Sequence, residues 1–278
     1  MRLRGIKRSS NVEMRSSGGK RSGGRGGLGL VGVLAVLAIG YFTGIDVSPL
    51  LQGGSAPQQT SSVSADDDAA AAFSAQVLTT TEAVWGAVFK EQLGRAYQPP
   101  KLVIFNGVTP SPCGNASGAT GPFYCPADSK AYLDTQFFVA LDRQMGAGGD
   151  FAAAYVIAHE VAHHVQNELG ILSKVNAARQ RSSEVDANLL TVKLELMADC
   201  LSGIWARNVQ GLMERGDLEE ALNAARMIGD DHLQRQSGRV PQPHTFTHGT
   251  SEQRAGWFAR GYDSGAVGQC DTFAVAQL

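Results

Sequence analysis

The sequence predicts an α+β protein, mostly helical with a small β-sheet, that is preceded by one transmembrane helix. Apolar residues at helical spacing fill long segments of the second half of the chain, whereas only a few short apolar runs fit strands. The third observation is a stretch of twenty uncharged residues, 26–45. A helix of that length spans about 30 Å, which matches the core of a bilayer.

Charge is distributed unevenly along the chain. The net charge is -2, yet residues 1–28 carry eight Lys or Arg and one acid. A basic tail that runs into an apolar segment predicts a cytoplasmic N-terminus and an extracytoplasmic domain. A nucleic-acid-binding arm is the alternative for the tail, and the adjoining apolar segment disfavours it. A cleaved signal peptide with its apolar core at residues 28–39 is the alternative to a membrane anchor, but no A-x-A-like cleavage site follows that core.

These features divide the chain into four parts. Residues 1–25 form a basic cytoplasmic N-terminus, 26–45 a transmembrane helix, 46–65 a flexible linker rich in Ser, Gln, Gly and Pro, and 66–278 one folded domain. The expected protein is therefore single-pass, with its domain in the periplasm or on the outer face of the inner membrane.

Apolar periodicity and glycine or proline breaks predict the elements of the domain. Asp150 is the expected N-cap of the helix at 150–169. Helices are predicted at 66–93, 136–145, 150–169, 183–212, 217–235 and 251–262, and strands at 101–105, 123–125 and 131–133.

The four cysteines are an even number in a domain expected outside the cytoplasm, which predicts disulfides. Cys113 and Cys125 bracket a loop rich in Gly, Asn and Ser, and closing a loop near fifteen residues stabilises by about 3 kcal/mol. By elimination, Cys200 pairs with Cys270. Four free buried thiols in a cytosolic enzyme are the alternative, and a cysteine zinc site is disfavoured because no C-x-x-C spacing occurs.

An H-E-x-x-H motif spans His159 to His163 in a predicted helix. The i, i+4 spacing brings both imidazoles onto one face, and Glu160, about 100° away, can reach a metal-bound water without being a ligand. The apolar residues 153–158 predict a buried motif rather than an exposed His–Glu pair. One Zn²⁺ per chain is therefore expected.

A catalytic zinc takes three protein ligands, and Glu195 is the predicted third. Asp199 lies four residues later on the same helical face, where it can accept a hydrogen bond from the outer nitrogen of a zinc-bound His. Apolar neighbours indicate that both acids are buried and need partners. Glu184 is the competing ligand, but no acid follows it at i+4. His164 points away from His163 and is interpreted as a histidine that is packed or that supports a ligand, rather than as a ligand itself.

This ligand set predicts hydrolysis of peptide or amide bonds, with Glu160 as the general base. Such sites add a donor that stabilises the oxyanion, and His248, in a loop before a helix, is the candidate. A histidine held in the loop by backbone hydrogen bonds is nearly as good an interpretation. The other candidates for the donor are His244, His232, Tyr124 and Tyr132.

Together these residues resemble a known family, the bacterial neutral zinc metallopeptidases, which are membrane-anchored proteins with H-E-x-x-H and a downstream E-x-x-A-D. The resemblance implies a zincin-like fold, in which an edge strand above the active-site helix pairs with substrate backbone; residues 131–133 would belong to it. It implies a reaction type but no substrate. The resemblance is carried by residues 41–45, 113 with 121–126, 159–163, 195–200, 246–254 and 270–273.

Three functions compete at this point. The first is a peptidase acting on peptides or proteins in the cell envelope, without a nucleic-acid partner. The second is a catalytically idle zinc-binding protein that serves as a tethered partner or chaperone-like module, and the intact Glu160 disfavours it. The third is a zinc amidase of the cell wall, for which a dedicated glycan-binding segment would be expected. The oligomeric state stays unknown.

Overall fold

The structure is a computed structural model that describes residues 1–15, 65–117, 120–138, 149–275 and 278. Short 3₁₀ turns occupy Gln210–Leu212, Pro243–Thr245 and Val267–Cys270. The strands are β1 Val12–Arg15, β2 Lys101–Phe105, β3 Val108–Ser111, β4 Gly114–Ser117, β5 Phe123–Cys125 and β6 Lys130–Asp134. The helices are α1 Ala65–Gln92, α2 Asp150–Glu168, α3 Ile171–Arg179, α4 Glu184–Asn208, α5 Asp217–Met227, α6 Asp230–Gln236 and α7 Ser251–Ser264. The predicted α+β class, mostly helical with a small sheet, is confirmed.

Helix α2 runs through the middle of the domain. Fifteen of its nineteen residues are buried, as expected for a helix that is apolar on all sides. Near its start, Phe151 stacks on Trp205 of α4, with ring centroids 5.5 Å apart. The buried apolar flank predicted for the H-E-x-x-H motif is present.

The larger sheet has the order β1-β2-β6-β5. Its first three strands are parallel, and β5 runs antiparallel to β6 at the edge. Both β5 and β6 lie against α2. The resemblance implied that residues 131–133 belong to an edge strand, and this is wrong: they lie in β6, which pairs on both sides. The edge strand beside α2 is β5.

Both predicted disulfides are present. Cys113–Cys125 joins the end of the β3–β4 hairpin region to β5, and Cys200–Cys270 joins α4 to the C-terminal 3₁₀ turn. No cysteine of the chain is free. The disulfides therefore fix the two surfaces that flank α2, the sheet edge on one side and the α4–α7 pair on the other.

Residues 1–15, which are part of the separate basic tail expected at 1–25, belong instead to the folded domain. Strand β1 pairs with β2, and the side chains of Met1 and Leu3 are buried. The amino group of Met1 donates to the Asp150 carboxylate at 2.7 Å and lies 3.2 Å from that of Asp217. Apolar residues alternate here with exposed basic ones, so the positive charge stays in solvent and does not oppose packing.

The predicted transmembrane helix, residues 26–45, lies outside the described residues, and so does most of the linker at 46–65. Among the helices that the structure describes, none combines the length and the apolar character needed to cross a bilayer.

Several helix boundaries differ from prediction. The single helix expected at 217–235 is two helices, α5 and α6, which meet at Gly229. The backbone at Gly229 lies against the first residue of α7, since a Cβ at Gly229 would overlap the backbone nitrogen of Ser251. Helix α3, strand β1 and the β3–β4 hairpin were not predicted. Of the predicted helix at 136–145, only 136–138 is described, and these three residues are helical.

The start of α2 also differs. Asp150 is not the N-cap. Gly149 occupies that position with φ 132°, and a glycine has no side chain that could cap the helix. The carboxylate of Glu220 on α5 accepts from the backbone N–H of Phe151 instead, at 3.1 Å. Tertiary packing thus supplies the negative charge that favours a helix N-terminus.

Candidate metal centre

Helices α2 and α4 bring the three predicted ligands together. His159 and His163 lie one turn apart on α2, and Glu195 faces them from α4. The Nε2 atom of His159 is 3.0 Å from Glu195 Oε2, and Nε2 of His163 is 3.4 Å from Glu195 Oε1. One potential ligand atom from each residue lies within 4.8 Å of the others. The three residues that the sequence pattern selected therefore lie close together in the folded domain.

The outer nitrogens of both imidazoles are already engaged. Nδ1 of His159 donates to Asp199 Oδ1 at 2.9 Å, and Nδ1 of His163 donates to Gln166 Oε1 at 2.9 Å. The amide nitrogen of Gln166 in turn donates to the carbonyl of Leu194. Because Nδ1 of each ring is engaged in this way, Nε2 is the nitrogen that faces Glu195 in both histidines, and metal-binding histidines commonly bind the ion through one nitrogen while the other donates a hydrogen bond.

Electrostatics in this cluster favour a cation. Burial lowers the pKa of His159, but the charges and hydrogen bonds of Asp199 and Glu195 raise it more strongly, to about 10. Burial raises the pKa of Glu195, yet His163 and His159 hold it well below its usual range. Two imidazoles and a carboxylate around a position that attracts positive charge are a donor set that suits zinc and leaves one coordination position open.

Glu160 is buried beside the two imidazoles on α2. Burial raises the pKa of its carboxyl, and the neighbouring His163 and His159 reduce that increase. A carboxylate with a raised pKa accepts a proton more readily at neutral pH than an exposed one does. Its environment therefore suits a general base.

His248 lies outside the ligand cluster, on a half-exposed loop. Its Nδ1 is 3.3 Å from Asp230 Oδ1, and Asp230 Oδ2 accepts backbone N–H bonds from Thr247, His248 and Gly249. Burial lowers the pKa of His248, but the hydrogen bond with Asp230 and the charge of Glu195 raise it overall. Asp230 thus orients the imidazole of His248.

The other candidate residues have different roles. Glu184 is exposed at the start of α4, away from the cluster. His164 donates through Nε2 to the carbonyl of Gln98 and accepts from the Tyr124 hydroxyl, so it is a packed histidine, as predicted. The Tyr132 hydroxyl donates to Asp128 at 2.7 Å. His232 and His244 are not in the cluster formed by the described residues.

Sequence reasoning missed four residues around the cluster. Tyr155 and Gln166 lie one turn from His159 and His163 on α2, so helical spacing could have identified them. Asp230 and Arg254 are separated from their partners by 18 and 55 residues, and no local pattern joins them.

Comparisons with known proteins identify the family of this chain. The sequence model of a family described as "Putative neutral zinc metallopeptidase" matches residues 1–273. "Uncharacterized protein YpfJ" of Escherichia coli (strain K12) is 49% identical over 286 aligned positions, covering 98% of this chain and 99% of the relative. "Uncharacterized protein Rv2575" of Mycobacterium tuberculosis (strain H37Rv) is 39% identical over 212 positions, covering 72% and 69%. No solved structure shows significant similarity. The chain therefore belongs to the putative neutral zinc metallopeptidase family.

Proposed function

We propose that this protein is a zinc-dependent peptidase that hydrolyses peptide bonds of proteins or peptides in the cell envelope. The observation that carries the proposal is the convergence of both Nε2 atoms on Glu195, with Glu160 buried beside them. A zinc ion bound there would supply Lewis-acid chemistry, because it lowers the pKa of a coordinated water to about 7 and polarises a carbonyl.

The side chains of this chain have separate tasks in the proposed reaction. His159, His163 and Glu195 hold the ion. Glu160 takes a proton from the attacking water and later delivers it to the nitrogen of the leaving amine. The raised pKa of its carboxyl supports both steps, since the same group must accept and release a proton near neutral pH.

Strand β5 is the proposed site for the substrate backbone. It is the edge of the described sheet beside α2, and its outer side is not paired within that sheet. An extended peptide can add to such an edge through main-chain hydrogen bonds. β5 takes this role in place of residues 131–133.

His248 is the proposed donor to the oxyanion that forms during attack, and Asp230 is the residue that orients it. We expect His248→Ala to lower kcat by about 10²–10³-fold, the usual cost of losing one such donor. Zinc content should not change, because His248 is not in the ligand cluster. Steady-state cleavage kinetics and metal analysis of the same preparation measure both.

His244→Ala is the matched control for His248, since His244 is an exposed histidine in the same loop. It should cleave at the wild-type rate. Equal kcat values for the two variants would show that His248 is only a loop histidine held by its neighbours.

The proposed function is tested on the full-length chain with zinc analysis and cleavage of casein and a broad peptide library. We expect about one zinc per chain, cleavage that stops after chelation, and recovery when zinc is restored. A protein that binds zinc but cleaves nothing in the library would favour the catalytically idle tethered partner instead. Cleavage that persists after complete zinc removal would contradict the proposal.

We further propose that the domain works outside the cytoplasm. The two disulfides support this location, because such bonds persist in oxidising compartments. A single membrane crossing between residue 15 and residue 65 would place residues 1–15 on the opposite side from the rest of the domain and remove β1 from its sheet. We therefore propose that residues 1–15 lie on the same side of the membrane as the domain.

Cysteine labelling tests this topology. Ser10→Cys and Ser182→Cys place thiols at exposed positions before and after the apolar segment, and the chain has no other free thiol. In cells with a permeabilised outer membrane, a membrane-impermeant maleimide should label both. Labelling of Ser182→Cys alone would instead support a single-pass anchor with a cytoplasmic N-terminus.

A further inference from the structure

Arg254, near the start of α7, is a charged residue with only 2% of its surface exposed. Its guanidinium binds both oxygens of Asp199: Nε donates to Oδ2 at 2.9 Å and Nη2 donates to Oδ1 at 3.0 Å. Nη1 also donates to the carbonyl of Ile228 at 3.2 Å, and Nη2 to the Tyr155 hydroxyl at 3.3 Å. Such a two-point contact fixes the plane of a carboxylate as well as its position.

The buried carboxylate of Asp199 accepts hydrogen bonds from three residues. Its Oδ1 accepts from Arg254, from the Tyr155 hydroxyl at 2.6 Å and from Nδ1 of His159 at 2.9 Å. Because Arg254 and Tyr155 fix this oxygen, the direction in which it receives the His159 proton is fixed too. The orientation of a predicted metal ligand therefore depends on α7, which contributes no ligand itself.

Two glycines allow α7 to come this close to α4. A Cβ at Gly203 would overlap the carbonyl oxygen of Phe258, and a Cβ at Gly261 would overlap that of Cys200. The Cys200–Cys270 disulfide joins α4 to the 3₁₀ turn that follows α7. At the other end of α7, a capping box formed by Thr250 and Gln253 fixes the first turn, from which Arg254 extends.

We propose that Arg254 is a positioning residue of the metal centre, which acts through Asp199 to hold His159 with its Nε2 directed at the metal. The inference rests on the proposed function only in taking His159 as a ligand. It differs from a purely stabilising role, in which Arg254 merely neutralises a buried carboxylate: Lys would then serve nearly as well, since it carries the same charge.

The charge-conserving variant Arg254→Lys separates the two roles. The Lys ammonium lacks the rigid planar fork of Arg, so it cannot fix the plane of the Asp199 carboxylate. We expect the zinc Kd, measured by competition with a chromogenic chelator, to rise about tenfold, the low end of what loss of an outer-shell partner costs. The visible absorption bands of the cobalt-loaded protein should shift. Arg260→Lys, on the exposed side of the same helix, should change neither.

A comparison of two variants at Asp199 keeps the proposal testable if Arg254→Lys does not fold. The first variant, Asp199→Asn, should weaken zinc binding. The second adds Arg254→Met to Asp199→Asn, so that no unpaired carboxylate is left in the core. If Arg254 acts through Asp199, the double variant binds zinc as tightly as Asp199→Asn alone. A further loss of zinc affinity in the folded double variant, or wild-type affinity in folded Arg254→Lys, would overturn the proposal.

These zinc measurements do not depend on substrate, so the two proposals can fail separately. A wild-type protein that binds zinc, cleaves nothing and shows the expected loss in Arg254→Lys would sink the peptidase proposal alone. A wild-type protein that binds no zinc would overturn both.

Discussion

Replacing Glu160 with Gln is expected to lower kcat by about 10²–10⁴-fold, because the amide cannot take the proton of the attacking water. Zinc should remain bound at the wild-type level, since the Nε2 atoms of His159 and His163 converge on Glu195 and not on Glu160. Zinc analysis and cleavage kinetics on the same preparation of the full-length chain measure the two quantities together.

Glu168→Gln is the matched control for this variant, because Glu168 ends the same helix away from the ligand cluster. It should keep both zinc and activity. Glu160→Gln that cleaves like wild type would show that the general base lies elsewhere, and loss of its zinc would show that Glu160 contributes to metal binding.

Glu195→Gln is expected to abolish zinc retention. The change removes the negative charge that faces both imidazoles, and a neutral amide is a poor zinc ligand. The loss of affinity should exceed the roughly 10–100-fold that removal of an outer-shell partner costs. Dialysis against a weak chelator followed by metal analysis measures it, and cleavage should disappear in step with the zinc.

Glu184→Gln provides the comparison on the same helix and tests the competing ligand suggested by the sequence. Glu184 is exposed at the first turn of α4, so its amide variant should hold zinc like wild type. If Glu184→Gln lost zinc and Glu195→Gln kept it, the assignment of the third ligand would be reversed.

Local sequence patterns predicted the parts of this protein that depend on local physics. The i, i+4 histidines converge because any α-helix places such residues on one face. Helices α4 and α7 begin within one residue of the predicted starts at 183 and 251, where the hydroxyls of Ser183 and Thr250 satisfy free backbone N–H groups. Glu195 was chosen for its spacing from Asp199, and the structure places both carboxylates against His159.

Features set by distant contacts could not be predicted in this way. Charge bias favoured a separate basic tail at residues 1–25, but within it β1 is stabilised by pairing with β2, far away in the sequence. The break at Gly229 follows from the approach of Ser251 rather than from a weak helical pattern. Arg254 reaches Asp199 only because two distant glycines let α7 pack closely on α4, and no single segment encodes that contact.

Zinc-edge X-ray absorption on the purified protein tests the central claim most directly. The account predicts two imidazole nitrogens and additional oxygen ligands at about 2.0–2.2 Å, with no sulfur near 2.3 Å. The imidazole contribution should fall in His159→Ala and stay unchanged in His248→Ala. A sulfur ligand, or an imidazole contribution that is unchanged in His159→Ala, would contradict the metal centre proposed for this protein.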